Sequence, residues 1–311
     1  MNHQTIRDQA AAGGLLPPLF LPLRTWQYRE ERLPPSLLAD PREALPQARC
    51  MVAFLLPYSP FLPREQEPSL SAYYMASNAL YHFCRNLSLQ AQSEGQTLLS
   101  APLAAKGMLA QQGIARIGKN SLAALPYQGS RFAVQWMLSA ELAPQIDHDI
   151  DLATIPSCEG CQACARACPV GAIDEEGLHV ERCLRYHLEG GLMPDWVKKN
   201  ISSLTGCEIC QQACPRNANI SAIRTPAVPH ALFSFGNILS LDTQALAANK
   251  KHWSALLGKN MLSKGRLFAQ ALCLAAHQAP QAYIPAAQHY LAHGNPLQQD
   301  AARFYLDASG A

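Results

Sequence analysis

The sequence predicts an α+β chain in three parts: a mixed domain over residues 1–150, a cysteine-rich insert over 151–222 and a short helical tail over 223–311. Three observations predict it. Two apolar runs, CMVAFLLPY (50–58) and SRFAVQWMLSA (130–140), enclose segments of helical texture. Cys158, Cys161, Cys164, Cys168, Cys183, Cys207, Cys210 and Cys214 crowd one segment and leave only three of the 11 cysteines elsewhere. From residue 241 onward the chain turns Ala- and Leu-rich and is broken by prolines and glycine.

Taken in order, residues 1–45 are punctuated by proline and arginine and show little periodicity, so no element is predicted there. The continuous apolar run 50–58 with its closing proline reads as a buried strand. Residues 70–93 read as a helix. Ser100 with Pro102 is expected to open a second helix, LAAKGMLAQQ, stopped by Gly113. GIARIGKNSL follows as a loop, and 130–140 reads as a strand alternating toward a core. The insert is expected to be loop-dominated, because metal replaces much of its core. In the tail, GRLFAQALCLAAHQ, AYIPAAQHYLAHG and NPLQQDAARFYLDA predict three short helices with the texture of a HEAT-like repeat, ending after one to two units.

At 49% hydrophobic and 15% charged, the 311 residues predict a folded chain with a sizeable core rather than a disordered one. The net charge of +2 neither demands nor excludes a nucleic-acid partner. Basic residues gather at Lys198, Lys199, Lys250, Lys251, Lys259, Lys264 and Arg266, without aromatic interleaving, and read as a solvated helix surface. The apolar run GLLPPLFLPL (14–23) carries three prolines and is too short for a membrane span. It has neither the basic leader nor the cleavage site of a signal peptide, so no membrane partner and a cytoplasmic location are expected.

In a reducing compartment, clustered thiols bind metal more often than they pair as disulfides. The run Cys158-x2-Cys161-x2-Cys164-x3-Cys168-Pro169 has the spacing of a bacterial ferredoxin, whose fourth cysteine serves a second cluster. GCEICQQACPRN supplies Cys207, Cys210 and Cys214 ahead of Pro215, and ERCLRYH supplies Cys183. The expected partition is one [4Fe–4S] cluster on Cys158, Cys161, Cys164 and Cys214, and a second on Cys168, Cys183, Cys207 and Cys210. Two tetrahedral zinc sites would use the same eight thiolates, but zinc folds favour isolated pairs over a third cysteine at x2 and a closing Cys-Pro. Cys50, Cys84 and Cys273 lie singly in apolar segments and read as core.

Several stretches resemble the epoxyqueuosine reductases, a family sharing a corrinoid-binding fold with reductive dehalogenases. DPREALPQARCMVAFLLPYSP (40–60) resembles its first strand region, and AYYMASNALYH (72–82) its ARYAxGxDYH segment. APLAAKGMLAQQGIARIGKNSLAALPYQGS (101–130) is similar to the family's xPxxExxxAxxAGLGxxGKNxxxxxxxxGS, and the cysteine runs match almost position by position. The resemblance implies a nitroreductase-like domain holding cobalamin and a double-cluster ferredoxin-like domain. It also implies electrons arriving from a flavodoxin or ferredoxin donor, and a modified tRNA base as the family's substrate. The departures lie on the substrate side. The family's proton-donating aspartate falls at Leu99, the Asp of DYH at Leu80, the motif glutamate at Ala105, and the Arg-Asn pair opening the tail around Ala269 and Gln270. A leucine donates no proton.

The expected function is therefore an iron–sulfur oxidoreductase passing electrons to cobalamin, with an altered small-molecule or tRNA substrate. The alternatives are an electron-transfer or corrinoid-binding protein without substrate chemistry, and a tRNA epoxyqueuosine reductase with a relocated acid. His82 is the candidate acid, since histidine titrates near working pH. Tyr73 and Tyr81 are candidate cofactor-pocket residues, equally readable as a packed aromatic helix face. Lys119 and Asn120 could contact cofactor amides or phosphate, and Gly129 with Ser130 could let backbone approach a corrin; ordinary loop turning is the other reading. Asp147, His148 and Asp149 read as a solvated linker rather than metal ligands.

Overall fold

A computed structural model describes residues 1–27, 36–61, 63, 67–145, 150–218, 220 and 230–311. Asp147, His148 and Asp149 lie outside the described residues. Two compact units emerge, each drawn from separated stretches. One comprises Met1–Ser59, Ala76–Ala163 and Gln211–Arg224; the other comprises Pro60–Met75, Cys164–Cys210 and Thr225–Ala311.

The first unit is built on an antiparallel sheet. Helix α1 (His3–Ala12) starts at Asn2, whose side chain accepts from the Thr5 N–H. Strand β1 (Leu19–Leu21) then pairs with β2 (Cys50–Pro57), setting Phe20 against Val52. Neither α1 nor β1 was expected from the sequence. Helix α2 (Tyr73–Ser93) buries Ala76, Leu80, Cys84, Leu87 and Ala91 along one stripe, the i, i+4 spacing of a core-facing helix. Strand β3 (Leu98–Ser100) occupies the stretch where a helix cap was expected. Ser100 hydrogen-bonds into the sheet instead, its hydroxyl accepting from Gln135 Nε2 at 2.9 Å. Helix α3 (Ala105–Gln111) starts after Ala104, with no side-chain cap. A short hairpin, β4 (Arg116–Ile117) with β5 (Ala123–Ala124), carries the IGKN turn.

Strand β6 (Phe132–Ser139) completes the sheet in the order β1-β2-β6-β3. Its register sets Ala53 opposite Trp136. The unbroken apolar run of β2 follows from burial on both faces. Met51, Ala53 and Leu55 join Met108, Leu109 and Trp136 in one core. The alternate residue Phe54 meets Phe83 of α2 edge-on at 5.6 Å between ring centroids.

The second unit is helical and irregular. Its cluster segment has only short helices: α4 (Ala163–Ala167), α5 (Leu184–Leu188), α6 (Asp195–Asn200) and α7 (Ile209–Gln212). The tail contains α8 (Phe235–Ile238), α9 (Thr243–Leu257), α10 (Lys259–Leu262), α11 (Arg266–Gln278), α12 (Ile284–His293) and α13 (Pro296–Ser309). The last three are the three expected helices. Helix α11 is buried along its length from Leu267 to Ala276, because the other helices pack around it. Lys198, expected on a solvated surface, is instead 5% exposed, and its ammonium is held by Asp195 and Asp300. Among the described residues no helix is long and apolar enough to cross a membrane.

Candidate metal centre

The thiols follow the expected sets in part: Cys168, Cys183, Cys207 and Cys210 are neighbours, and Cys158 and Cys161 neighbour Cys214, but Cys164 neighbours Cys210 of the other set. Within the second unit, Cys207 has Cys183 and Cys168 as charged neighbours, and Cys210 has Cys207, Cys183, Cys164 and Cys168. Within the first unit, Cys214 has Cys158 and Cys161. Burial pushes the Cys207 thiol up to about 11 and Cys210 to about 12, a cost that a bound cationic metal offsets by taking the thiolate. Backbone donors already face three sulfurs. The Ala172 N–H donates to Cys168 Sγ at 3.3 Å, and backbone hydrogen bonds from Ile209 and Arg216 lower Cys207 and Cys214. Such N–H···S contacts stabilise thiolate over thiol, so the donor set fits anionic iron–sulfur clusters. Cys50, Cys84 and Cys273 are each fully buried, as expected of core residues.

The loops carrying these thiols are held in part by buried polar side chains. In the second unit, Gln270 of α11 is 1% exposed. Its Oε1 accepts from the Thr205 N–H at 2.8 Å, and its Nε2 donates to the Leu188 carbonyl at 2.9 Å. Thr205 sits at φ 62, two residues before Cys207, where a β-branched side chain is strained and needs such support. Glu208, 7% exposed, accepts on Oε1 from Ser71 Oγ at 2.7 Å and from the Tyr73 N–H at 3.2 Å, at the start of α2.

In the first unit, Asn217 Oδ1 accepts from the Ser130 N–H at 2.8 Å, and its Nδ2 donates to the Gln211 carbonyl at 2.7 Å. Gln211 Nε2 donates to the Ser130 carbonyl at 2.8 Å, and Tyr58 Oη donates to Gln211 Oε1 at 3.0 Å. Sequence reasoning missed Glu208, Gln211, Asn217 and Gln270. Glu208 did carry a signal, as a charged residue between two ligands.

The remaining candidates are placed as follows. Gly129, at φ +61, approaches the Cys214 segment: a Cβ there would meet Asn217 Oδ1 at 2.2 Å and the Arg216 carbonyl at 2.4 Å. Ser130 is committed to Asn217 and Gln211. Gly118 lies beside a cluster thiol, with Cys158 Sγ 3.7 Å from where its Cβ would stand. Lys119 Nζ donates to the Cys161 carbonyl at 3.5 Å, and the buried Asn120 accepts from the Leu122 N–H at 3.3 Å. Tyr73 is covered by the Arg185 guanidinium, 4.4 Å from its ring centroid. Tyr81 and His82 are exposed neighbours on α2, and Leu99 is 39% exposed on β3. Thus Lys119, Gly129 and Ser130 meet the cysteine loops, Asn120 closes its own turn, and Tyr81 and His82 are open to solvent.

Comparison with known proteins agrees with this geometry. Residues 157–217 match the family described as the 4Fe-4S double cluster binding domain. An epoxyqueuosine reductase from Lactococcus garvieae (strain Lg2) is 31% identical over 97 residues, which are 30% of this chain and 26% of that protein. The chain therefore spans about a quarter of the length of the curated relative it matches. The crystal structure of epoxyqueuosine reductase with an epoxyqueuosine-modified tRNA-Tyr stem loop superposes with a TM-score of 0.76 at 19% identity, over 99% of this chain and 90% of that one. The Streptococcus thermophilus epoxyqueuosine reductase gives 0.75 at 18%, over 98% and 90%. The chain thus has the fold of the epoxyqueuosine reductases along nearly its whole length, with a double-cluster segment within it.

Proposed function

We propose that the chain is an iron–sulfur oxidoreductase that moves single electrons through two [4Fe–4S] clusters. Cys158, Cys161, Cys164 and Cys214 hold one, and Cys168, Cys183, Cys207 and Cys210 the other. The observation that supports this reading is the nearness of Cys168, Cys183, Cys207 and Cys210 to one another and of Cys158 and Cys161 to Cys214, with backbone N–H donors on Cys168, Cys207 and Cys214. The functional division is a cofactor domain over 1–150, a ferredoxin-like cluster domain over 151–222 and a HEAT-like tail over 223–311. A flavodoxin or ferredoxin is the proposed donor.

Cobalamin is the proposed acceptor, and when bound it supplies strongly reducing cobalt chemistry. Of the residues assigned to it, Tyr81 and His82 are exposed, whereas Lys119, Gly129 and Ser130 also meet the cluster loops. The substrate is an altered small molecule or a modified tRNA base. His82 is the proposed proton donor, because Leu99 has no proton to give.

Anaerobic reconstitution with iron and sulfide, followed by metal counting and a cobalamin titration read in the visible spectrum, tests the reading. About eight irons per chain and a cobalamin-dependent spectral change are expected. Zinc in place of iron, or half the iron, would refute the two-cluster assignment. A second reading, an electron carrier without substrate chemistry, is favoured by the apolar Leu99. Restoration of queuosine in a reductase-deficient strain would refute that second reading. Loss of the restoration in His82→Ala would assign the proton.

A further inference from the structure

A hydrogen bond from a backbone N–H to a ligand sulfur favours the reduced cluster, because reduction adds negative charge that the donor stabilises. How firmly such a donor is aimed therefore bears on the cluster's potential. The Ala172 N–H donates to Cys168 Sγ at 3.3 Å. Ala172 opens a small hairpin that fills the interval between Cys168 and Cys183, and all of these residues lie within the second unit. Ile173 and Leu178 face each other across it in an antiparallel bridge. The His179 N–H donates to the Ala172 carbonyl at 2.9 Å, and the Asp174 N–H donates to the Gly177 carbonyl at 3.0 Å. From His179 a single 3-10 turn, Val180–Arg182, leads into Cys183, whose N–H donates to the Val180 carbonyl at 3.0 Å.

One pair of side chains ties the two arms of this hairpin together. His179 Nε2 donates to Asp174 Oδ2 at 2.6 Å, since an ionised carboxylate only accepts. Asp174 Oδ1 accepts from the Glu176 N–H at 2.9 Å, so the same carboxylate also fixes the turn. The other ring nitrogen, Nδ1, faces Glu181 Oε1 at 3.8 Å. A two-stranded hairpin this short is marginal by itself, so a cross-arm side-chain bond decides how steadily its first residue is held. That first residue is Ala172, the donor to the sulfur.

We infer that Asp174 and His179 form a clip that keeps the Ala172 N–H on Cys168 Sγ and thereby raises the potential of the cluster held by Cys168, Cys183, Cys207 and Cys210. This rests on the two-cluster reading above. Asp174 and His179 are positioning residues, because they reach the sulfur only through the Ala172 backbone.

The test is an anaerobic redox titration of the reconstituted chain, read by electron paramagnetic resonance after iron counting. Cys207→Ser removes a ligand of this cluster and so identifies its signal. His179→Ala should lower the reduced-to-oxidised ratio of that cluster at a fixed potential by about threefold, equivalent to about 28 mV for one electron, and leave the other signal in place. The two side chains are 29% and 48% exposed, so the variants lose no core and should carry the wild-type amount of iron. Asp174→Ala should give the same shift from the other side of the bond. His179→Gln, whose amide donates from nearly the place of Nε2, should restore the wild-type ratio. In metal-free samples of the same proteins, hydrogen exchange over 170–183 should quicken in both alanine variants and not in His179→Gln. A potential unmoved in both alanine variants, a shift of both signals, no restoration by His179→Gln, unchanged exchange, or iron below the wild-type count overturns the inference. Wild-type protein with one cluster, or with zinc, overturns the two-cluster reading instead.

Discussion

Replacing Gln270 with leucine tests how the cluster loops are held. The side chain is almost completely buried, so leucine fills most of its volume and little cavity energy is lost. What disappears is a pair of hydrogen bonds to backbone groups that have no route to water. The Thr205 N–H, within a residue 1% exposed, loses its acceptor, and the Leu188 carbonyl loses a donor at the end of α5. Each orphaned group costs about 1–3 kcal/mol, giving about 2–6 kcal/mol for the pair. Against a usual stability of about 5–15 kcal/mol, that is a large fraction. The damage should concentrate where Thr205 is strained, beside Cys207, so iron should be lost before the rest of the chain unfolds. Anaerobic thermal unfolding followed by circular dichroism, with iron counted on the same samples, reads both effects. Gln270→Glu should rescue neither, because it keeps the acceptor for Thr205 but sets an anion against the Leu188 carbonyl. A Gln270→Leu protein with the wild-type midpoint and iron content would refute the reasoning.

Four further outcomes follow from the same geometry. Gly129→Ala drives a Cβ into Asn217 and the Arg216 carbonyl at a positive φ, and should cost several kcal/mol, about 3 or more, measured as a lowered midpoint and weaker iron loading. Cys207→Ser should leave about four irons per chain, and Cys214→Ser should do the same with the opposite signal lost in magnetic resonance. Removal of iron by a chelator should make 157–217 sensitive to proteolysis while the helical circular dichroism of α9 and α11–α13 persists, because metal holds that segment where core does not. The Asp174 carboxyl is held below its ordinary range by its hydrogen bond to His179. A depressed carboxylate contributes stability above its unfolded value, near 3.8, and loses it as pH falls through the folded value. Asp174→Asn should therefore flatten acid unfolding below about pH 4, and an unchanged acid limb would show the pair to be inert.

The strands and tail helices were legible because burial leaves a period in the residues. Strand β2 is apolar at every position, and α11 is apolar around nearly its whole circumference. Two elements of the first unit were not. Strand β1 is three residues inside a proline-rich run, and its identity comes from pairing with β2 rather than from its own pattern. Helix α1 buries only Ile6 and Ala10, too few for a stripe, although Asn2 three residues before Thr5 was a usable cap signal. Ser100 misled for the reverse reason: a serine two residues before a proline has the composition of a helix start, but the neighbouring β6 backbone recruits 98–100 as an edge strand.

The site divides along a different line. A cluster fixes the spacing of its ligands, so the double-cluster segment could be read from its cysteine intervals. A loop-dominated segment, however, has no ladder to satisfy its own N–H and C=O groups, and those groups must be met from elsewhere in the chain. Gln270 reaches Thr205 across 65 residues and Asn217 reaches Ser130 across 87. No local pattern announces such partners, because each is a single polar residue in a segment that reads as helix or turn. The same necessity bears on Lys119, Gly129 and Ser130, which also read as candidate cofactor contacts. A turn that must approach a cysteine loop closely needs small residues and amides in the same order as one that must approach a cofactor. Here Lys119 donates to the Cys161 carbonyl, and Gly129 leaves room for the Arg216 carbonyl.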